Sequence, residues 1–240
     1  MSYSILDFSI LGLIDGITGS LVVILGIAFG IFFSFQGFKK DVKLLKLLGL
    51  VSSFAGLMYL GVLLDFSWLL IFGDNFKELW TPLSSYIWFP LVMVISIYIA
   101  TQIQIPDKVK YFLVAYIIMG IIFYFLILTS PDLSFYTGTY ETHSPRLWDY
   151  NIEILSPAGI FLALMLFPVI LIFGVGLLYN STKTTGTLKK KFIFLALGAF
   201  CYGIAGLFEG FTQPGIGVIL VRITYLSSFW FMYAGLRPVE

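Results

Sequence analysis

Four ionisable residues lie inside long apolar runs of this 240-residue chain: Asp15, Asp65, Glu209 and Arg222. A charged side chain at membrane depth is costly, and it usually faces a bundle interior, paired or wet. Three acids and one base in one leaflet would line an outward cavity with an affinity for a cation or a polar ligand. A competing reading lets each acid reach water from a span end and leaves Arg222 alone as a structural group. Two tyrosines belong with these residues by helical spacing. Tyr202 falls on a stripe of Gly198, Tyr202, Ala205 and Glu209, and Tyr225 on one of Arg222, Tyr225, Phe229 and Tyr233. That spacing suits helix packing as well as a ligand box. Asp15, Asp65, Glu209, Arg222, Tyr202 and Tyr225 are the candidate ligand-binding set.

The same inventory excludes several chemistries. The one histidine, His143, sits in a polar connection. It cannot supply the His and Asp cluster of an intramembrane zinc hydrolase, nor the intramembrane base of a rhomboid-like serine protease. The single cysteine, Cys201, lies in an apolar run with no base near it and reads as a small buried hydrophobe. A retinal Schiff base needs a lysine in the last run, which has Arg222 and no lysine. None of the glycine patterns that cradle phosphate is present. A non-enzymatic protein without metal or cofactor is the expectation, and a net charge of +1 with no basic face argues against nucleic acid.

The elements that must position these residues are membrane helices. The chain is 59% hydrophobic and 11% charged, with mean hydropathy +0.98. Soluble domains carry about 25% charged residues, and a core of this size could not hide so much apolar surface from water. A hydrocarbon layer of about 30 Å needs roughly 20 helical residues. The sequence offers seven such runs, near 9–36, 46–72, 80–101, 110–129, 157–180, 191–210 and 215–236. This predicts one all-α domain over 1–240, a polytopic seven-helix bundle in the lipid bilayer of the cell. Thr81-Pro82 and Ser156-Pro157 pair an N-cap residue with a first-turn proline. Pro106 and Pro214 break connections, and Pro90 and Pro168 fall inside spans three and five, where they predict kinks. Gly12, Gly16, Gly26 and Gly30 with Gly19 and Ser20 suit close helix contact. The long connection at about 130–156 predicts either a lid over a pocket or a surface loop. Its Phe135 to Glu141 alternates like a short hairpin about Gly138, and Trp148 and Tyr150 suit an interfacial aromatic belt.

Basic residues set the orientation. Lys39, Lys40, Lys43, Lys46, Lys108, Lys110, Lys183, Lys189, Lys190, Lys191 and Arg237 fall on one side, against Lys77 and Arg146 on the other. An outside N-terminus and a cytoplasmic C-terminus follow. The glycosylation pattern Asn180-Ser181-Thr182 would then be an ordinary cytoplasmic loop. No cleavable signal peptide is expected, because residues 1–8 carry Asp7 but no Lys or Arg. The short turn between spans six and seven makes them antiparallel neighbours, so Glu209 and Arg222 should meet, with Asp15 as a second partner for the guanidinium.

The last two spans read KKKFIFLALGAFCYGIAGLFEG, then a turn, then VRITYLSSFWFMYAGLRP. A basic loop into span six, an arginine opening span seven and an aromatic-glycine-x-x-proline exit resemble the end of the seven-helix sensor modules that precede histidine kinases in archaea and bacteria. The resemblance implies a receptor-like prokaryotic protein. Since the chain stops at Glu240, directly after the exit, it would work through a separate cytoplasmic or membrane signalling partner. The leading expectation is sensing of a small molecule or a membrane state through an outward polar cavity. A small transporter or proton-coupled carrier, and a structural subunit of a membrane complex, are the alternatives. A carrier should hold an ionisable site near the midplane, and the inner half of each span has none.

Overall fold

In lipid the backbone must close its hydrogen bonds within each crossing segment, and this chain does so with helices. The computed structural model describes residues 10–139, 147–209 and 216–237. The helices are α1 (Ile10–Lys39), α2 (Lys43–Leu57), α3 (Leu60–Phe72), α4 (Trp80–Tyr86), α5 (Phe89–Gln104), α6 (Val109–Thr129) and the single turn α7 (Pro131–Ser134). A ribbon of β1 (Phe135–Thr139) and β2 (Trp148–Ile152) follows, then α8 (Pro157–Val169), a π-helical stretch (Ile170–Val175), α9 (Gly176–Thr182), α10 (Gly186–Glu209) and α11 (Ile216–Leu236). Among the described residues six helical runs are long and apolar enough to cross a membrane. The pair α2 and α3, bent by 44°, makes a seventh when counted as one crossing. Large apolar side chains cover the outside, among them Ile31, Phe35, Ile121, Phe125, Phe167 and Leu220. This is an all-α multi-pass membrane protein. One end of the bundle carries the ribbon and the other the lysine-rich turns.

The apolar run at 46–72 is not the straight helix its composition predicts. No proline breaks it; neighbouring side chains supply the partners that its own turns give up. At Met58 and Tyr59 the bonds shorten to i+3, with Tyr59 N–H donating to Gly56 O at 3.0 Å. The Ala55 carbonyl accepts the Tyr225 hydroxyl at 3.0 Å, and the Gly61 N–H donates to Ser85 Oγ at 2.8 Å. Pro90 is not mid-helix either. It occupies the first turn of α5, the break falls before it at Ile87 and Trp88, and the Ile87 carbonyl accepts the Tyr124 hydroxyl at 2.7 Å. Pro168 does lie inside α8, immediately before the π-helical widening, and the Met165 carbonyl there accepts the Tyr116 hydroxyl at 2.8 Å. A backbone group buried without a partner is costly, and at each interruption a tyrosine hydroxyl from a neighbouring helix satisfies one.

Helix α1 lies against α2 at backbone distance. A Cβ on Gly26 would come within 2.6 Å of Gly56 Cα, and one on Gly30 equally close to Gly49 O. Farther along, α1 meets α11 through rings: Phe33 stacks on Tyr233 at 5.1 Å, and Phe29 meets Trp230 edge-on at 5.1 Å. Spans one and seven therefore adjoin, and α10 lies beside α11 with Gly198 against Met232 and Ser228.

Two local expectations are corrected. Gly138 is no turn: Phe135–Thr139 is one strand, antiparallel to Trp148–Ile152, with Phe135 opposite Ile152. The alternation taken for two short arms is a single arm, and the alternating partner lies further along the chain. Asn180-Ser181-Thr182 is the last turn of α9 and not a loop, held by Asn180 Nδ2 donating to Gln104 Oε1 at 2.6 Å. His143, Glu141, Pro214 and Asp7 lie outside the described residues.

Candidate functional site: an ionic cluster and a tyrosine-walled cavity

Arginine 222 is placed by α11 one and a half turns past its start, on the face turned toward α1 and α10. Its side chain is nearly enclosed, so each N–H needs a partner. Nη2 lies 2.6 Å from Asp15 Oδ1, and Nη1 donates to the Asp15 carbonyl oxygen at 2.9 Å and to Thr18 Oγ1. Nε donates to Glu209 Oε1 at 3.0 Å, and Nη2 lies 3.0 Å from the same oxygen. All three guanidinium nitrogens are thus engaged. The two carboxylates are not equivalent: the Asp15 side chain is 10% exposed and that of Glu209 is 23% exposed. Glu209 Oε2 is buried and has no hydrogen-bond partner among the described residues.

Three tyrosines extend the cluster into the bundle. The Arg222 guanidinium sits over the Tyr59 ring, 5.4 Å from its centroid. Tyr59 meets Tyr225 edge-on at 5.5 Å, and Tyr225 lies 5.2 Å from Tyr202. The bend between α2 and α3 is what turns Tyr59 toward this group, and the Tyr225 hydroxyl holds that bend. Beside the rings is a cavity of about 210 Å³. Asp15, Glu209, Arg222, Tyr59, Tyr202 and Tyr225 form its polar side. Its apolar lining includes Met58, Val62, Phe89, Met93, Leu162 and Leu166, and Gly206 forms part of the wall.

The ribbon contributes Tyr150, Asn151 and Ile152 to the same wall. The end of the connection at 130–156 therefore contributes to the cavity wall. The Tyr150 hydroxyl shares a hydrogen bond with Ser85 Oγ at 2.7 Å, next to the Gly61 amide that Ser85 also accepts. Burial pushes the Tyr150 phenol well above the usual tyrosine value, with the Ser85 hydrogen bond pulling the other way, so it stays protonated across the ordinary pH range. The Trp148 side chain lies outside the described residues.

Of the sequence candidates, Asp15, Glu209, Arg222, Tyr202 and Tyr225 come together at this cavity, and Asp65 does not. Asp65 is buried in α3 and accepts from the Phe76 N–H at 2.8 Å and from Asn75 Nδ2 at 3.2 Å, so it holds the connection between α3 and α4. Its depth resembled that of the other acids, but its side of the helix differs. Tyr59, Thr18, Tyr150 and Gly206 belong to the site and escaped the sequence reading. Thr18 carried a usable signal, because it stands one helical turn after Asp15 on the same face. Tyr59 carried none, since its direction depends on a bend that no proline marks.

Cys201 is partly buried on α10, reduced, and away from this cavity. Among the described residues no group of three or more His, Cys, Asp or Glu side chains could hold a metal ion. No family model matches this sequence and no curated protein matches it, so what the site does is argued from its own residues.

Proposed function

We propose that this is a receptor-like, non-enzymatic membrane protein of seven crossings, with its N-terminus outside and its C-terminus in the cytoplasm. In this reading it senses a small molecule or a membrane state through the cavity at the ribbon end. The observation that carries the reading is the cavity itself, lined by an ionic cluster, by three tyrosines, by apolar side chains and by part of β2. The distribution of charge supports it over a carrier. Among the described residues the buried charged side chains are Asp15, Asp65 and Arg222, and all three lie toward the ribbon end. A carrier needs an ionisable site near the midplane that both sides can reach. The resemblance of the last two spans to kinase-linked sensor modules points to a signalling output on the lysine-rich side.

Access separates sensor from carrier. In a Cys201→Ala background, Gly206→Cys puts a thiol on the cavity wall where a Cβ meets nothing within 4 Å. An impermeant thiol reagent should label it in right-side-out vesicles and not in inverted ones. Labelling from both sides would favour a carrier. Cysteines at positions 2 and 239 test the orientation in parallel, and labelling of position 239 in intact cells would overturn it.

A further inference from the structure

The cavity's polar side is lopsided in charge and in hydrogen-bonding capacity. Two carboxyl groups face one guanidinium, so the lining holds one more acid than base. Every guanidinium nitrogen already has a partner, so Arg222 has little left to offer an anionic ligand. The spare capacity is an acceptor on Glu209: Oε2 is buried and takes no hydrogen bond of good geometry among the described residues, with the Tyr59 hydroxyl the protein donor directed at this carboxylate. The Tyr202 and Tyr225 rings, 5.2 Å apart, line the same cavity. Aromatic faces attract a cation within about 6 Å and form the usual cages for organic ammonium groups. The remaining wall is aliphatic, thioether and phenyl. At about 210 Å³ the space lies below the about 300–1,000 Å³ typical of drug-sized ligands.

We infer that the cavity takes an organic ammonium, a monocation with a short apolar body. Its charged end is held by Glu209 Oε2 and the Tyr202 and Tyr225 rings, and its body lies against Met93, Leu162 and Leu166. The inference rests on the proposal that the cavity is a ligand site, and adds the charge and size of what enters. A neutral donor would satisfy the Glu209 oxygen without supplying the charge that matches the extra acid, and an anion would find no free donor on Arg222. The same ammonium chemistry could arrive as a free solute or as the headgroup of an aminophospholipid.

Three probes of one shape test the charge: cyclohexylammonium, cyclohexanol and cyclohexanecarboxylate, titrated at neutral pH onto the purified full chain in phosphatidylglycerol discs. Tyrosine and tryptophan fluorescence reads the binding, and the thermal midpoint reads it independently. Cyclohexylammonium should saturate, with the alcohol at least about tenfold weaker and the carboxylate undetected. Glu209→Gln should weaken the ammonium by about tenfold or more and leave the alcohol little changed. Gly206→Phe, which puts a ring on the cavity wall, should weaken ammonium and alcohol together. Should Glu209→Gln not fold, the ranking of the three probes on the wild type still decides. A preference for the alcohol or the carboxylate would overturn the ammonium assignment while leaving the ligand site standing. Binding of none of the three would overturn both. Discs with added phosphatidylethanolamine separate the sources: unchanged cyclohexylammonium affinity marks a free amine, and competition marks a lipid headgroup.

Discussion

Replacing Arg222 with methionine should destabilise the bundle by about 3 kcal/mol, the low end of the range for removing one partner of a buried ion pair. The low end applies because Glu209 is 23% exposed and can reach water, whereas Asp15, at 10%, cannot readily do so. The Asp15 carbonyl oxygen also loses a donor at 2.9 Å. Asp15→Asn alone keeps the shape and one acceptor but exchanges a charge-assisted bond for a neutral one, a loss of about 1 kcal/mol. Combined, the two changes should cost no more than Arg222→Met by itself, because the asparagine then relieves an unpaired buried carboxylate. A double-mutant cycle on unfolding free energies in bicelles, measured by steric trapping, reads this as a coupling of about 1–3 kcal/mol. Additivity within about 0.5 kcal/mol would show that Arg222 does not serve Asp15. Substituting Glu209→Gln into the Arg222→Met background should add little, and a full additional loss there would remove Glu209 from the cluster as well.

Tyr225→Phe leaves the Ala55 carbonyl without its hydroxyl donor and should cost about 0.6–1.7 kcal/mol, the range for side-chain hydrogen bonds between membrane helices; unchanged unfolding would show that the bend needs no cap. Gly26→Val drives a side chain into Gly56 and should cost about 1–3 kcal/mol by overpacking, while Gly206→Ala is tolerated; equal losses at the two sites in thermal unfolding would contradict the close approach of α1 and α2. Asp65→Ala should speed hydrogen exchange at the Phe76 amide without changing cyclohexylammonium binding, and a matching loss of binding would place Asp65 in the site after all.

The sequence made the crossings legible because hydropathy and lysine placement report on the solvent, and lipid tolerates few alternatives to a helix. It also paired Arg222 with Glu209 and with Asp15, since a short turn and a closed ring of helices constrain which residues share a depth. Rotation about each helix axis was harder to read. Asp65 sits at a depth like that of the other acids yet serves the connection after α3, because its carboxylate faces Asn75 and Phe76. Helix breaks were harder still. Pro90 and Pro168 were visible, but whether a proline kinks a helix or starts one depends on which neighbour satisfies the freed carbonyl. The bend at Tyr59 depends on Tyr225 and Ser85, residues 166 and 26 positions away in the chain. The partner of β1 was missed for a similar reason, since strand pairing is decided between segments and not within one.

The tyrosine-capped interruptions divide the crossings into two mechanical kinds. Helices α1, α6, α10 and α11 run from end to end without a joint, and the crossings built from α2 with α3, α4 with α5, and α8 with α9 each contain one. A continuous helix moves as a stiff rod, whereas a jointed one can pivot without displacing its far end. Asp15, Glu209 and Arg222 stand on three of the four rods, and Tyr59 stands at a joint. On the proposed sensing role, a displacement of the ionic cluster would be carried along uninterrupted helices to the lysine-rich end, and one of α3, α4 or the ribbon would meet a break first.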